Sequence, residues 1–228
     1  LSRPTHEILD LLLCDRIDMG IATSSDFDAS GLREVPLLRD PFVLVLPRGL
    51  GATAGLPGEK ALSHLAGDPS LPFLRYSGRQ LLGRRIEAQL RRANLSVARR
   101  MEFETTHVIL SLVAAGQGWT VTTALSFARG QRYHSGLQIV PFPGRAFARD
   151  ISLFAREDVP EQVLQASLRV MRRAIATMVL RPSLERDPWL AEGFWLMPGG
   201  DGGPDVASGA RGATDPESIP GRAAPNGS

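Results

Sequence analysis

The sequence predicts an α/β protein in which helices alternate with the strands of a parallel sheet. Two observations carry this prediction. Apolar residues recur at helical spacing in 5–15, 79–93 and 105–116, and short apolar runs typical of strands lie beside each of these stretches. Alternation of strands with helices of this length is typical of consecutive βα units, whose strands pair in parallel.

The first elements follow from the apolar pattern. A helix over 5–15 places Ile8 and four leucines on one broad stripe, and "IDMGIAT" (17–23) predicts a strand. The run "PFVLVLP" (41–47) is continuously apolar between prolines, which predicts a strand buried on both faces. A loop rich in Gly, Pro and Ala over 49–70 contains a short helix near 61–65.

Two further βα units follow. "LPFLRY" (71–76) predicts a strand, and residues 79–93 predict a helix that ends at Asn94. The remaining predicted elements are a strand over 99–104, a helix over 105–116, strands over 119–123, 137–143 and 149–156, and a helix over 160–181.

The composition changes from Pro182 onward. Residues 198–228 are dominated by Gly, Pro, Ala and small polar residues, which predicts disorder. The apolar residues before them could dock on the domain or stay loose, and the sequence leaves both alternatives open; they are Trp189, Leu190, Phe194, Trp195 and Leu196. We therefore expect a C-terminal extension over 182–228 that is largely disordered.

Composition excludes several classes of protein. The 228 residues suffice for a sizeable core, and the net charge of +2 comes from interspersed charges that do not imply a polyanionic partner. No stretch approaches the ~18 consecutive apolar residues of a membrane helix, and no signal peptide is visible. We expect a cytoplasmic protein with no membrane partner. Because the chain begins at Leu1 with a helix whose preceding strand is absent or reduced to a stub, we expect a fragment.

Cysteine and histidine usage argues against redox and metal chemistry. Cys14 is the only cysteine and lies in the apolar run "LLLCD", which favours a buried structural thiol. The four histidines are scattered without the spacing of metal ligands. We expect no metal site and no cofactor.

Three predicted strand–helix junctions carry hydroxyl groups. The junctions contain Ser2 and Thr5, then Ser77 and Gly78, then Thr105 and Thr106. The first N–H groups of a helix lack intrahelical partners and the helix dipole is positive there, so such places hold carboxylates. In open α/β sheets they lie at the edge where ligands bind. The alternative for each hydroxyl is a helix N-cap.

Charges of both signs flank these junctions. Arg3 could pair with the carboxylate of a ligand, and Glu104 could pair with its ammonium or guanidinium group, as an amino-acid-like ligand requires. The alternative is that Glu104 is an acid favoured by the helix dipole and that Arg3 is solvated.

No pattern points to catalysis or to nucleic-acid binding. There is no GxSxG sequence and no pair of carboxylates at a telling spacing, and "GQG" (116–118) falls short of a phosphate-binding loop. Arginines in 84–100 recur with a seven-residue period beside Glu87, which is typical of a solvated helix face. We expect a protein that is not an enzyme.

The order of segments resembles the effector-binding domain of LysR-type transcriptional regulators. The segments are "ILDLLLCDRIDMGIAT", "GLREVPLLRDPFVLVLPRG", "ETTHVILSLVAAGQGWTVTT", "GLQIVPF" and "ISLFARED". The resemblance covers about residues 2–180 and implies two Rossmann-like lobes, as in type 2 periplasmic binding proteins. Within a domain over 1–181, lobe one would comprise 1–47 and 143–181, and lobe two 48–142.

This resemblance implies a bacterial-type sensor of a small carboxylate or amino-acid-like effector, bound in a cleft between the lobes. The family's effector sites use hydroxyls at positions that correspond here to Ser2, Thr5, Ser77 and either Thr105 or Thr106. "SRPTHEILDLL" and "RRMEFETTHVILSLVAAGQG" are most similar to the subgroup that responds to basic amino acids and opines.

The resemblance also implies partners. The family pairs these domains lobe one against lobe two, so a homodimer or tetramer is expected. DNA would be bound only through a winged helix-turn-helix that this sequence lacks. A solute-binding protein of a transporter shares the bilobal fold and is the alternative function.

Overall fold

A computed structural model describes residues 5–24, 29–50, 58–95, 97, 101–143 and 147–198. The strands are β1 (Met19–Thr23), β2 (Leu32–Pro47), β3 (Leu74–Tyr76), β4 (Met101–Phe103), β5 (Thr120–Thr123), β6 (Leu137–Pro141), β7 (Ala148–Arg156) and β8 (Trp195–Leu196). The α-helices are α1 (Thr5–Leu13), α2 (Gly58–Gly67), α3 (Leu81–Arg92), α4 (Thr106–Ala114), α5 (Ala124–Ala128), α6 (Glu161–Ile175) and α7 (Arg181–Arg186). This mixture of helices and strands confirms the predicted α/β class.

The long strand β2 belongs to both lobes. Its first half pairs with β7 and β8, and β1 lies beyond β7. Its second half pairs with β5 along one edge and with β6 along the other. The change of partner falls between Pro41, which pairs with Ala148 of β7, and Phe42, which pairs with Thr123 of β5. We call residues 40–42 the crossover, because β2 changes its strand partners there. In the description below, lobe one denotes the group of β1, β7, β8 and the first half of β2, and lobe two the group that includes β5, β6 and the second half of β2.

Lobe two contains the parallel part of the molecule. Strands β3 and β4 pair in parallel, and a parallel bridge between Phe73 and Trp119 joins this pair to the chain entering β5. The carboxyl ends of β3, β4 and β5 therefore lie at one edge of lobe two.

The predicted parallel sheet is otherwise wrong for the described residues. Strand β2 is antiparallel to all four of its partners, and β1 is antiparallel to β7. The reason is that β2 and β7 run side by side in opposite directions, so neighbouring strands in lobe one do not come from consecutive βα units.

The core is centred on the second half of β2. Residues 42–46 are all buried, which confirms the prediction of a strand covered on both faces. Helices α3 and α4 contribute buried side chains to the same core: Ile86, Leu90, Ile109, Leu110 and Val113. Burial of each such aliphatic side chain stabilises the fold by roughly 1.5–3 kcal/mol.

Left-handed backbone ends two of the helices. Asn94 has φ +54° just after α3, which confirms the predicted end of that helix, and Gly116 has φ +76° just after α4. A glycine adopts this conformation without the steric cost that a Cβ brings.

Helix α1 packs on lobe one through a small separate cluster formed by Leu9, Leu12, Ala22 and Phe154. The prediction that Cys14 is buried is wrong, because the residue is exposed. Cys14 follows the end of α1. The preceding residue, Leu13, is already 51% exposed, so the side chains at this end of the helix do not face the core.

The structure describes the C-terminal segment as far as residue 198. The predicted helix over 160–181 is α6, which continues through a π-helical turn (Ala176–Leu180) into α7. A 3₁₀ turn (Pro188–Glu192) then leads to β8. Leu190 and Phe194 are each only 1% exposed, so the apolar residues whose docking the sequence left open do dock. Residues 199–228 lie outside the described part of the chain.

Among the described residues, no helix combines the length and the apolar character needed to cross a bilayer.

Candidate functional site

The structure brings two of the three predicted hydroxyl-bearing junctions together. Because β3 and β4 are parallel neighbours, the chain after β3 lies beside the chain after β4. The backbone N–H of Ser77 donates to the carbonyl of Phe103 at 3.0 Å. The side-chain amide of Gln80 donates to the backbone carbonyl of Glu104 and to its carboxylate, the latter at 3.2 Å. Ser77, Gly78, Glu104, Thr105 and Thr106 therefore form one surface region at the carboxyl ends of the strands.

The hydroxyl of Ser77 belongs to the turn before α3. Ser77 is 7% exposed, and its Oγ accepts a hydrogen bond from the backbone N–H of Arg79 at 3.4 Å. The N-cap position of α3 is occupied by Gln80, whose side chain makes no capping bond. Gly78 is exposed, and a Cβ added to it would meet no atom within 4 Å, so there is open space above this turn.

The two threonines of the third junction have different partners. Thr105 is the N-cap of α4, and its hydroxyl accepts from the backbone N–H of Val108 at 3.5 Å. Thr105 therefore makes the N-cap hydrogen bond that the sequence left open as the alternative to ligand binding. Thr106 instead accepts a hydrogen bond from the hydroxyl of Tyr76 at 3.2 Å.

Tyr76 is a further residue of this candidate region, and sequence reasoning did not single it out. Its hydroxyl lies 2.7 Å from the hydroxyl of the buried Thr122 and also bonds Thr106. Burial raises the pKa of the Tyr76 phenol, so the group stays protonated and can donate. Two features of the sequence could have pointed to Tyr76. One is the aromatic residue at the end of β3, and the other is the group of threonines in "WTVTT", whose hydroxyls need hydrogen-bond partners in a fully buried strand.

A buried ion pair lies at the crossover beside these threonines. Asp40 of β2 and Arg149 of β7 are direct partners across the two strands. Asp40 is fully buried, and its carboxylate accepts from Arg149 Nε at 2.9 Å and from the backbone N–H of Leu125 at 2.9 Å. Arg149 also donates to the hydroxyl of Thr123 at 3.2 Å. Polar contacts thus join the crossover to β5, whose Thr122 contacts Tyr76.

The described part of the first junction contacts its own strand. The backbone N–H of Thr23, at the end of β1, donates to the hydroxyl of Thr5 at 3.4 Å, so Thr5 ties α1 to its own strand. Within the described part of the chain, no hydrogen bond joins Thr5 to the second or third junction. Ser2 and Arg3 lie outside the described residues.

Two cavities among the described residues are formed by other parts of the fold. One is lined by residues such as Gln131, His134 and Arg186, and the other by residues such as Leu12, Asp15 and Arg156. The predicted ligand residues line neither.

Comparison with protein families gives a match over most of the chain. The model of the LysR substrate binding domain matches residues 1–176. No curated protein sequence matches the chain.

Solved structures with the same fold include regulators named OxyR. A cysteine mutant of OxyR from Corynebacterium glutamicum is 22% identical with a TM-score of 0.61, covering 79% of this chain and 55% of that chain. The reduced form from N. meningitidis is 17% identical with a TM-score of 0.60, covering 85% and 81%. The reduced regulatory domain from Pseudomonas aeruginosa is 21% identical with a TM-score of 0.58, covering 75% and 80%. The chain thus spans just over half the length of the Corynebacterium protein, and these likenesses establish the fold.

Proposed function

The chain belongs to the LysR substrate-binding domain family, and from this premise we propose that it binds a small carboxylate or amino-acid-like effector between its lobes and thereby regulates transcription in the intact protein. The domain is a non-enzymatic sensing module with a type 2 periplasmic-binding-protein-like fold. The family match favours this function over a transporter's solute-binding protein.

One observation carries the proposal. Hydrogen bonds link Thr106 of the third junction to Tyr76 and Tyr76 to Thr122 of β5, and the next residue of β5, Thr123, accepts a hydrogen bond from Arg149 of the crossover ion pair. A ligand held at the carboxyl ends of β3 and β4 would therefore lie beside the strands that connect the lobes. Binding changes the balance between two lobe arrangements only by its difference in affinity for them, and this placement supports such a difference.

The chemistry of the region supports a ligand with both charges. The start of α4 and the open turn at Gly78 offer backbone N–H groups and hydroxyls to a carboxylate. Glu104 is exposed and is bonded by the neutral amide of Gln80, so its negative charge remains available for an ammonium or guanidinium group. The proposed ligand residues are Ser2, Arg3, Thr5, Ser77, Gly78, Glu104, Thr105 and Thr106.

We also propose a homodimer in which lobe one of one protomer faces lobe two of its partner. Among the described strands, β1 pairs only with β7 and β4 only with β3, so each has an unpaired edge. Both edges carry exposed apolar side chains: Ile21 is 43% exposed and Met101 39%. Exposed apolar groups on sheet edges favour association.

The test of effector binding is a thermal-shift screen with arginine, ornithine, lysine, opines and simple carboxylates, followed by calorimetry. A ligand at 100 times its Kd that binds only the folded state stabilises it by about 2.7 kcal/mol. Ser77→Ala and Thr5→Ala should each weaken binding of a hit by about tenfold, because each removes one hydrogen bond to the ligand.

The matched control is Ser111→Ala, since the hydroxyl of Ser111 in α4 donates to the carbonyl of Val108 at 2.8 Å, within the same helix. This variant should bind like the unchanged protein. If Ser77→Ala and Thr5→Ala bind normally but melt earlier, the two hydroxyls serve only local structure and the site assignment is wrong. Silence of the whole panel from a well-folded protein would contradict the proposed class of effector.

A further inference from the structure

The structure of the C-terminal segment points to a function that lies outside the effector site. We call residues 181–198 the strap; they follow the residues matched by the family model, which end at 176. We propose that the strap is a clamp that connects the two lobes beside the crossover and restrains their relative rotation.

One end of the strap is attached to lobe two. The guanidinium of Arg186 in α7 donates to Nδ1 of His134 at 2.7 Å and lies 4.6 Å from the ring centroid of Phe127. His134 in turn contacts the carbonyl of Phe127 through Nε2 at 2.9 Å. Phe127 is a core residue of α5, 1% exposed, so Arg186 is anchored to the interior of lobe two through an ordered pair of rings.

The other end of the strap adds a strand to lobe one. In β8, Leu196 pairs with Leu38 and Trp195 with Arg39, and the backbone N–H of Met197 donates to the carbonyl of Leu37 at 2.9 Å. The ring of Trp195 also receives the guanidinium of Arg39, 5.5 Å from its centroid.

A side chain of α6 holds the same end in place. The guanidinium of Arg172 donates through Nη2 to the carbonyl of Met197 at 2.6 Å and to that of Pro36 at 3.1 Å. The strap and β2 are therefore bonded by one common donor.

Between these two ends the strap packs against the crossover itself. Gly193 lies so close to Pro41 that an added Cβ would be 3.2 Å from the proline Cβ. Phe194 is 1% exposed on the next position. Rotation of the lobes requires backbone torsions near residues 40–42 to change. The strap is bonded to lobe one through β8 and to lobe two through Arg186, so it opposes this change. Its release should therefore widen the range of lobe orientations.

The experiment measures the distance between the lobes. Spin labels are placed on cysteines at Arg92→Cys in α3 and Arg169→Cys in α6, both exposed positions, in a Cys14→Ser background. Doubly labelled protein is mixed with a large excess of unlabelled protein, so that distances within one protomer dominate. The distribution is recorded by double electron–electron resonance without any effector.

Two variants release the strap from opposite ends. Met197→Pro removes the N–H that bonds Leu37, whereas the control Met197→Ala keeps it. Arg186→Leu removes the contact with His134. We expect both release variants to broaden the distance distribution and Met197→Ala to leave it unchanged. Hydrogen exchange of the amides in 37–40 should become about fivefold faster in Met197→Pro, the effect of one backbone hydrogen bond.

Two results would overturn the clamp. If hydrogen exchange of the amides in 37–40 becomes faster while the interlobe distances stay unchanged, the strap is only an extra strand of lobe one. If Arg186→Leu, which leaves β8 intact, has no effect on the distances, nothing is held between the lobes. Because no effector is present, either result leaves the proposed effector binding untouched, and failure of the effector screen leaves the clamp untouched.

Discussion

Two charged residues at the crossover, Asp40 and Arg149, connect three elements of the fold: β2, β7 and α5. Asp40 lies on β2, which belongs to both lobes, and Arg149 is its direct partner on β7. Each also contacts the start of α5. A buried ion pair contributes little net stability when intact, because desolvation offsets the attraction, but loss of one partner leaves a charge buried without compensation.

Asp40→Asn should therefore destabilise the protein strongly. We expect a loss of about 3 kcal/mol in the free energy of unfolding, measured by urea denaturation, because Arg149 is 18% exposed and would lose its carboxylate. Asp150→Asn on the adjacent position is the control: its carboxylate is 38% exposed and lies 3.4 Å from Arg39, so a loss below ~1 kcal/mol is expected. Equal losses in the two variants would contradict the role assigned to Asp40.

The sequence predicted some residues in this region and not others. Hydroxyls at strand ends were recognisable because a helix start follows them in the sequence. Tyr76, Thr122 and Asp40 were not, since their contacts join residues that are 46 or 85 positions apart. Glu87 was interpreted as part of a solvated face, yet it pairs with Arg75, which is only 4% exposed; nothing local in the sequence announces a buried arginine on β3.

At the scale of elements, the position of α3 relative to β3 depends on a glycine. An added Cβ on Gly83 would lie 2.5 Å from the carbonyl oxygen of Ser77 and 3.0 Å from that of Tyr76. Both neighbours are backbone atoms, so the helix itself would have to move away from the carboxyl end of β3.

Gly83→Ala should cost roughly 1–3 kcal/mol of unfolding free energy, the range of overpacked sites, and should also weaken any effector bound at Ser77. Gly67→Ala is the control, because nothing lies within 4 Å of its added Cβ at the end of α2. We expect this control to be neutral. Chemical denaturation compares the two variants, and an unchanged midpoint for Gly83→Ala would show that α3 can shift freely.

Elements were predicted well where apolar spacing was regular and poorly where strands carry charge. The first half of β2 was missed because Arg33, Glu34, Arg39 and Asp40 interrupt the apolar pattern. These residues are tolerated since Arg33 reaches Glu161 at 2.9 Å and Arg39 reaches Asp150 at 3.4 Å. Helix α5 was missed because it has only five residues, too few for a periodic pattern.

At the scale of the whole molecule, the arrangement of two lobes could not be deduced from composition or periodicity. It followed from the order of segments, which resembles a known family, and the antiparallel pairing of β2 and β7 depends on contacts more than 100 residues apart. Local sequence patterns hold no information on such pairings.

The proposed dimer can be tested by placing charges on the exposed edges of β1 and β4. Ile21→Asp and Met101→Asp should each weaken self-association by about a hundredfold, because each would bury an unpaired charge in the interface. Sedimentation velocity over a range of concentrations measures the change. Val170→Asp is the control, since Val170 is 70% exposed on α6 and lies outside the two proposed edges. Dissociation by this control alone would place the interface on α6 instead.

The π-helical turn at Ala176–Leu180 determines the direction in which the side chains of α7 point around the helix axis. Such a turn closes its hydrogen bonds over one more residue than an α-helix does, and each residue advances the helix by about 100°. Loss of one residue here would swing the buried Ser183 and the neighbouring Arg186 out of register with lobe two. The turn begins at the residue where the family match ends. Insertion or deletion of one residue in this turn would therefore rotate the strap about the helix axis and leave α6 in place.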